Sequence, residues 1–128
     1  MESLVSAETV RPICVVEDDD AVRASARLLL ESVGYTVRDY ASAAAFLEDT
    51  AAMDAACLLL DFQLGGMTGL DLLERLRARG VRTPAIIMTA NAGLSNERYQ
   101  RANVLAILRK PAPAAVLLNW IARACSGP

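Results

Sequence analysis

The stretch Ile13-Cys14-Val15-Val16-Glu17-Asp18-Asp19-Asp20 runs four apolar residues straight into four acids. A second apolar run, Cys57-Leu58-Leu59-Leu60, ends in Asp61; a third ends in Thr89; a fourth ends one arginine short of Lys110. Buried parallel strands read as continuous apolar runs of this kind, because both of their faces are covered. Ligand sites in open α/β sheets lie just beyond the carboxyl ends of such strands. Acids, a hydroxyl and an ammonium delivered to one sheet edge suit a divalent cation and a phosphoryl group.

Outward from these runs, strands and helices alternate. Asp20 is placed to cap a helix beginning at Ala21, whose apolar face is Val22, Ala26, Leu29, Leu30 and Val33, with Gly34 as its stop. Residues 35–40 read as a second strand, and Ser42 caps a short helix over 43–48. The glycines at 65, 66 and 69 mark 62–69 as a loop, and Leu70, Leu73 and Leu76 then recur at helical spacing up to Gly80. A fourth strand is expected over 84–88, a loop and weak helix over 90–102, and a fifth strand over 104–108. Pro113 suits the first turn of a last helix, with Val116, Leu117, Trp120, Ile121 and Ala124 on its apolar face. Five alternations imply an α/β, doubly wound parallel sheet with helices on both faces, since parallel crossovers need a helix's length of chain.

The 128 residues fit one domain, expected over 12–125 after an unpaired tail at 1–11, with 126–128 ending the chain and no output domain following. A hydrophobic fraction of 54% supplies a core. No apolar run reaches the roughly 20 residues of a membrane span, and the start lacks a secretion signal, so the cytoplasm is the default location. A net charge of −2 gives no general attraction to nucleic acid or to an anionic membrane. Arg75, Arg77, Arg79 and Arg82 are locally dense; a solvated helix face accounts for them, with a nucleic-acid patch as the alternative. Cys14 and Cys57 have apolar neighbours and read, with Cys125, as reduced thiols rather than a metal or redox set. The chain has no histidine, which excludes histidine acid/base chemistry, a Ser-His-Asp triad, His-ligated zinc and a phosphohistidine of its own.

VVEDDDAVR, LLLDFQLGGMTGLDLL, IIMTA and LRKP, in that order, give the chain a resemblance. It resembles the receiver domain of two-component response regulators, the fold shared with the chemotaxis protein CheY. The resemblance covers nearly the whole chain and implies a five-stranded flavodoxin-like sheet of order 2-1-3-4-5. It implies Mg²⁺ held by Glu17 (through a water), Asp18, Asp61 and the backbone carbonyl of Gln63. It implies Asp61 as phosphoacceptor, Lys110 and Thr89 holding phosphoryl oxygens, and the backbone N–H groups of Phe62 and Ala90 donating to the same group. The implied partners are a histidine kinase or phosphotransfer protein and a downstream protein or missing output domain. The domain itself would bind neither nucleic acid nor membrane. A homodimer linked to phosphorylation, through the fourth helix, fifth strand and last helix, is compatible with it.

The chain departs from the family pattern at several positions. Glu17 stands where Asp is commoner. Leu64-Gly65-Gly66 replaces a frequent proline, which suggests a slacker loop. Ile107 replaces the aromatic three residues before the lysine, which removes a threonine–aromatic rotamer switch. Ala112 replaces an aromatic after Lys110-Pro111. The Thr89–Lys110 interval is about one residue short. Other readings stand beside these: Asp61 as a capping or loop acid, Lys110 as a surface lysine, Thr89 as an ordinary strand residue. For function, the alternatives are a pseudo-receiver that binds protein without phosphorylation, and a phosphatase with an aspartate nucleophile. The second is disfavoured by Gln63, where such enzymes carry a second aspartate.

Overall fold

The computed structural model describes residues 10–49, 54–91 and 96–126. In chain order they form β1 (Ile13–Val16), α1 (Asp20–Ser32), β2 (Val37–Tyr40), α2 (Ala43–Glu48), β3 (Cys57–Asp61), α3 (Gly69–Ala78), β4 (Ala85–Thr89), α4 (Asn96–Arg101), β5 (Ala106–Arg109) and α5 (Ala114–Ser126). The sheet is wholly parallel in the expected order β2-β1-β3-β4-β5. Residues 1–9 of the expected tail, 92–95 of the expected loop and 127–128 lie outside the described residues. Among the described residues, no helix is long and apolar enough to cross a membrane.

Side chains alternate across the strands and feed two cores. Ile13, Val15, Cys57, Leu59 and Ile86 face Leu30 of α1 and Leu117, Ile121 and Ala124 of α5. Cys14, Val16, Leu58, Leu60, Ala85 and Ile87 face α2, α3 and α4, through Phe46, Leu70, Leu73, Leu76 and Tyr99. Burial raises the proton affinity of both core thiols, pushing Cys14 up to about 11.

Several boundaries differ from expectation. Asp19, not Asp20, caps α1, its carboxylate accepting the Val22 N–H at 3.0 Å. Asp20 instead enters the first turn and pairs with Arg23 at 2.7 Å, where the positive end of the helix favours an acid. Val22, Val33 and Val116 are exposed, because each helix buries a narrower stripe on the sheet than periodicity suggests. The second strand starts only at Val37, since the Tyr35 N–H is spent on the Leu30 carbonyl at the end of α1. The fifth starts at Ala106 rather than 104, since the Val104 N–H closes α4 on the Tyr99 carbonyl. Strands β3 and β4 each run one residue further and take in Asp61 and Thr89 themselves.

The loop after β3 is a closed turn rather than a slack one. Leu64 donates its N–H to the Met67 carbonyl at 3.2 Å and is itself buried, while Gly65 supplies the positive φ of 77°. Gly69, expected in the loop, begins α3. Thr68 and Asp71 form a capping box there, with bonds of 3.0 Å in each direction. A Cβ at residue 69 would run into the Asp61 carbonyl oxygen and come within 3.3 Å of the Leu60 Cβ. Only a bare backbone lets α3 start so close to the end of β3.

Arg77 is not part of a solvated helix face. It is half-buried, and its guanidinium donates to the carbonyls of Ala102, Val81, Thr83 and Asn103 at 2.7, 3.1, 2.8 and 3.3 Å. It thereby ties the end of α3 to the approaches of β4 and β5. Arg98 of α4 makes a second tie, reaching Asp71 at 2.9 Å and Glu74 at 2.7 Å.

Two outcomes are expected. Gly69→Ala lowers the unfolding free energy by about 1–3 kcal/mol, read from the urea midpoint, because the added methyl has nowhere to go. Backbone hydrogen bonding at Thr68, together with Arg98, holds the Asp71 carboxyl below its ordinary range. Its contribution to stability is therefore complete above the unfolded value of about 3.9 and lost as pH falls below that through the folded value. Asp71→Asn lacks this contribution at neutral pH and loses correspondingly less stability on acidification into that window, measured by denaturation across a pH series.

Candidate functional site

The strand register sets the site. Val16 pairs with Leu60, Asp61 with Met88, and Thr89 with Arg109, so the ends of β1, β3, β4 and β5 form one edge. Glu17 follows β1 directly, its N–H bonded to the Tyr40 carbonyl of β2 at 3.1 Å. Lys110 follows β5, its N–H bonded to the Thr89 carbonyl at 2.8 Å. The peptide bond from Lys110 to Pro111 is cis.

Glu17 and Asp61 are only 5% and 6% exposed. The Lys110 ammonium sits between them, 3.0 Å from Asp61 Oδ1 and 3.1 Å from Glu17 Oε1. Asp18 is exposed, yet one oxygen from each of Glu17, Asp18 and Asp61 lies within 4.8 Å of the others. Three carboxylates against one ammonium leave an excess of two negative charges when all are ionised.

The pKa directions follow from this crowding. Burial, aided by the negative charge of Asp61, raises Glu17 above the usual carboxylate range despite opposing bonds from the Asp19 N–H and Lys110. Burial alone would lower Lys110, but the ion pairs with Asp61 and Glu17 outweigh it and raise it. The protein has thus assembled repelling acids around a retained cation, a donor set of hard oxygens that suits a small divalent ion.

The structure brings together Glu17, Asp18, Asp61 and Lys110 from elements up to 93 residues apart. Thr89 reaches the same edge, but its buried hydroxyl exchanges 3.1 Å bonds with the backbone of Asn91 instead of turning to Asp61. The Phe62 N–H, expected to face a ligand, donates to the Met88 carbonyl at 2.7 Å, because the β3–β4 ladder continues past Asp61. Gln63 stands in the turn beyond, bridged to Thr68.

Two further residues support the turn between β1 and α1. Arg23 donates to the Glu17 carbonyl at 2.9 Å while pairing with Asp20, and so fixes the turn between β1 and α1. Asp19 donates its N–H to Glu17 Oε2 at 3.1 Å as well as capping the helix. The spacing of Arg23 after Asp20, one helical turn, was the available signal for the first.

The chain is similar to known proteins. Residues 13–122 match the family model described as the response regulator receiver domain. The transcriptional regulatory protein FixJ of Azorhizobium caulinodans is 45% identical over 80 residues, covering 62% of this chain and 38% of that protein. Nodulation protein W of Bradyrhizobium diazoefficiens is 32% identical over 119 residues, covering 92% of this chain and 52% of that protein. The chain therefore spans at most about half the length of these two relatives. The crystal structure of a CheY-like receiver domain protein from Methanospirillum hungatei superposes with a TM-score of 0.81 at 29% identity, covering 92% of this chain and 95% of that one. With the sheet order and the acid–lysine edge already in place, these matches make the chain a member of the response regulator receiver domain family.

Proposed function

We propose that Asp61 accepts a phosphoryl group from a phosphohistidine on a partner histidine kinase or phosphotransfer protein, and that the modified chain presents an altered protein-binding surface. The observation that carries this is the Asp61 carboxylate itself, buried at a strand end and touching Lys110 at 3.0 Å among two further acids. The donor histidine lies outside residues 1–128, which contain none.

Receiver domains bind Mg²⁺ at an acidic pocket, and the residues here fit that ion. Three carboxylate oxygens gathered within 4.8 Å are the hard ligands it prefers. Glu17, Asp18, Asp61 and the Gln63 carbonyl would hold it. When bound, it supplies positive charge against the acids and the phosphoryl oxygens.

An Asp61 oxygen attacks phosphorus, forming a P–O bond as the donor's P–N bond breaks and its electron pair returns to the imidazole. Lys110 is already placed to hold an oxygen of the arriving group as a point charge. Thr89 joins by giving up its two bonds to Asn91. That exchange frees the turn after β4 and transmits the event toward α4. Ile107 is 39% exposed and has no aromatic ring to rotate, so the switch in this chain rests on Thr89 and α4 alone.

Leu105, Ile107 and Val116 expose apolar surface along β5 and the start of α5. This surface suits a downstream protein, an output domain of a longer regulator, or a second copy of the chain after phosphorylation. The description of FixJ as a transcriptional regulatory protein favours an output domain. A cytoplasmic location belongs to the same proposal. A second reading, a protein-binding module indifferent to phosphorylation, draws on the Thr89 hydroxyl and Phe62 N–H being already engaged.

Incubation with Mg²⁺ and acetyl phosphate is expected to add one phosphoryl group by intact mass, and Asp61→Asn is expected to lose it. No gain from acetyl phosphate or from a phosphohistidine protein, with partner binding intact, would instead establish the second reading. Lys110→Ala leaves Glu17 and Asp61 buried without their cation, so in metal-free buffer it unfolds about 1–3 kcal/mol more easily, with part of the loss recovered on adding Mg²⁺.

A further inference from the structure

At the end of the sheet opposite Asp61, a pocket of about 150 Å³ is lined by Arg77, Gly80, Val81, Arg82, Arg101 and Asn103. Three arginines border it, and among the described residues no carboxylate does. Gly80 at φ 86° and Asn103 at φ 57° end α3 and α4 beside each other in the left-handed conformation.

An arginine near a helix C-terminus ordinarily neutralises the last carbonyls. Here that role is already filled. Val81 and Gly80 donate to Leu76 and Arg77, and Val104 and Asn103 donate to Tyr99 and Gln100. Arg77 alone takes the carbonyls of Val81, Thr83, Ala102 and Asn103. Arg82 is exposed and makes no ion pair among the described residues. Among the described residues Arg101 pairs with Glu97 alone, 3.5 Å away, with both side chains more than 70% exposed. Such a pair contributes little. Burial, and then the neighbouring charge of Arg82, both lower the proton affinity of Arg77, as expected where positive charge is uncompensated.

We propose that this pocket binds a phosphate-class oxyanion, either the free ion or the terminal group of a small phosphomonoester. Guanidinium forks match the paired oxygens of such ions. The volume is about that of five waters, at roughly 30 Å³ each, which suits a tetrahedral anion with part of its hydration but not a nucleotide. Arg77, with four of its N–H groups bonded to carbonyls, lines the pocket and lends it charge, while the exposed Arg82 and Arg101 supply the forks. Arg82 precedes β4 and Arg101 ends α4, so an anion held by both ties those elements together.

The test is a ¹H–¹⁵N titration of the chain with sodium phosphate, without Mg²⁺ and at ionic strength fixed with sodium chloride. Saturable shifts are expected at Gly80–Arg82 and Arg101–Asn103, well away from the three acids at the other end. The double variant Arg82→Ala/Arg101→Ala removes only exposed side chains, keeps the fold, and is expected to bind about tenfold or more weakly, the weight of about 1.4 kcal/mol. Parallel titrations separate the sources: glycerol phosphate binding as well as phosphate assigns the site to phosphomonoesters, and phosphate alone assigns it to the free ion. Shifts that follow ionic strength, that centre on Lys110, or that persist unchanged in the double variant overturn the proposal.

Discussion

One ammonium group between two buried carboxylates holds the working edge of this protein together. Lys110 lies 3.0 Å from Asp61 and 3.1 Å from Glu17. At an effective dielectric near 20, unit charges about 3 Å apart attract by roughly 5 kcal/mol, and like charges about 5 Å apart repel by roughly 3. Two such attractions outweigh the repulsion between the acids, while removing the ammonium would reverse the balance. The contact joins the ends of β1, β3 and β5, which share no direct pairing between β5 and the other two. Asp18 remains outside the pair, so the excess negative charge stays open to a second cation.

That edge exists because the sheet is parallel and covered on both faces. Apolar side chains alternate into two cores, and the strands can then end only in polar residues that turn to solvent at one rim. The rim is linked to the rest of the molecule through α3. Gly69 lets the helix start against the Asp61 carbonyl, and Asp71 caps that helix while pairing with Arg98 of α4. Tyr99 beside it is buried, and its hydroxyl has no hydrogen-bond partner among the described residues.

Strands β1, β3, β4 and β5 were legible because a parallel strand covered on both faces reads as a short continuous apolar run, whereas β2, Val-Arg-Asp-Tyr, carries no such signal. Asp61 and Lys110 were legible as residues placed where such runs stop. Their convergence at one sheet edge was expected as well; the direct ion pair, which closes 49 residues of chain, depends on the register. Periodicity named the helices but overstated their faces: Val22, Val33 and Val116 fit the spacing yet miss the sheet. Gly69 looked like a loop residue because its necessity comes from a neighbouring strand, not from its own conformation. Arg77 looked like one of several surface arginines because its four carbonyl partners lie on other segments or past the helix end. The Thr89 hydroxyl was assigned to a ligand, whereas a local turn offered it two bonds first.

Binding of one hard divalent cation at the acid cluster is the premise on which the chemistry of Asp61 rests. Mn²⁺, added substoichiometrically to ¹⁵N-labelled chain, reports its own location by broadening nearby amide signals. The account predicts broadening confined to residues around Glu17–Asp19, Asp61–Gln63 and Lys110. Broadening centred instead on Asp71 and Glu74 beside α3, or spread evenly over the acidic surface, would contradict it.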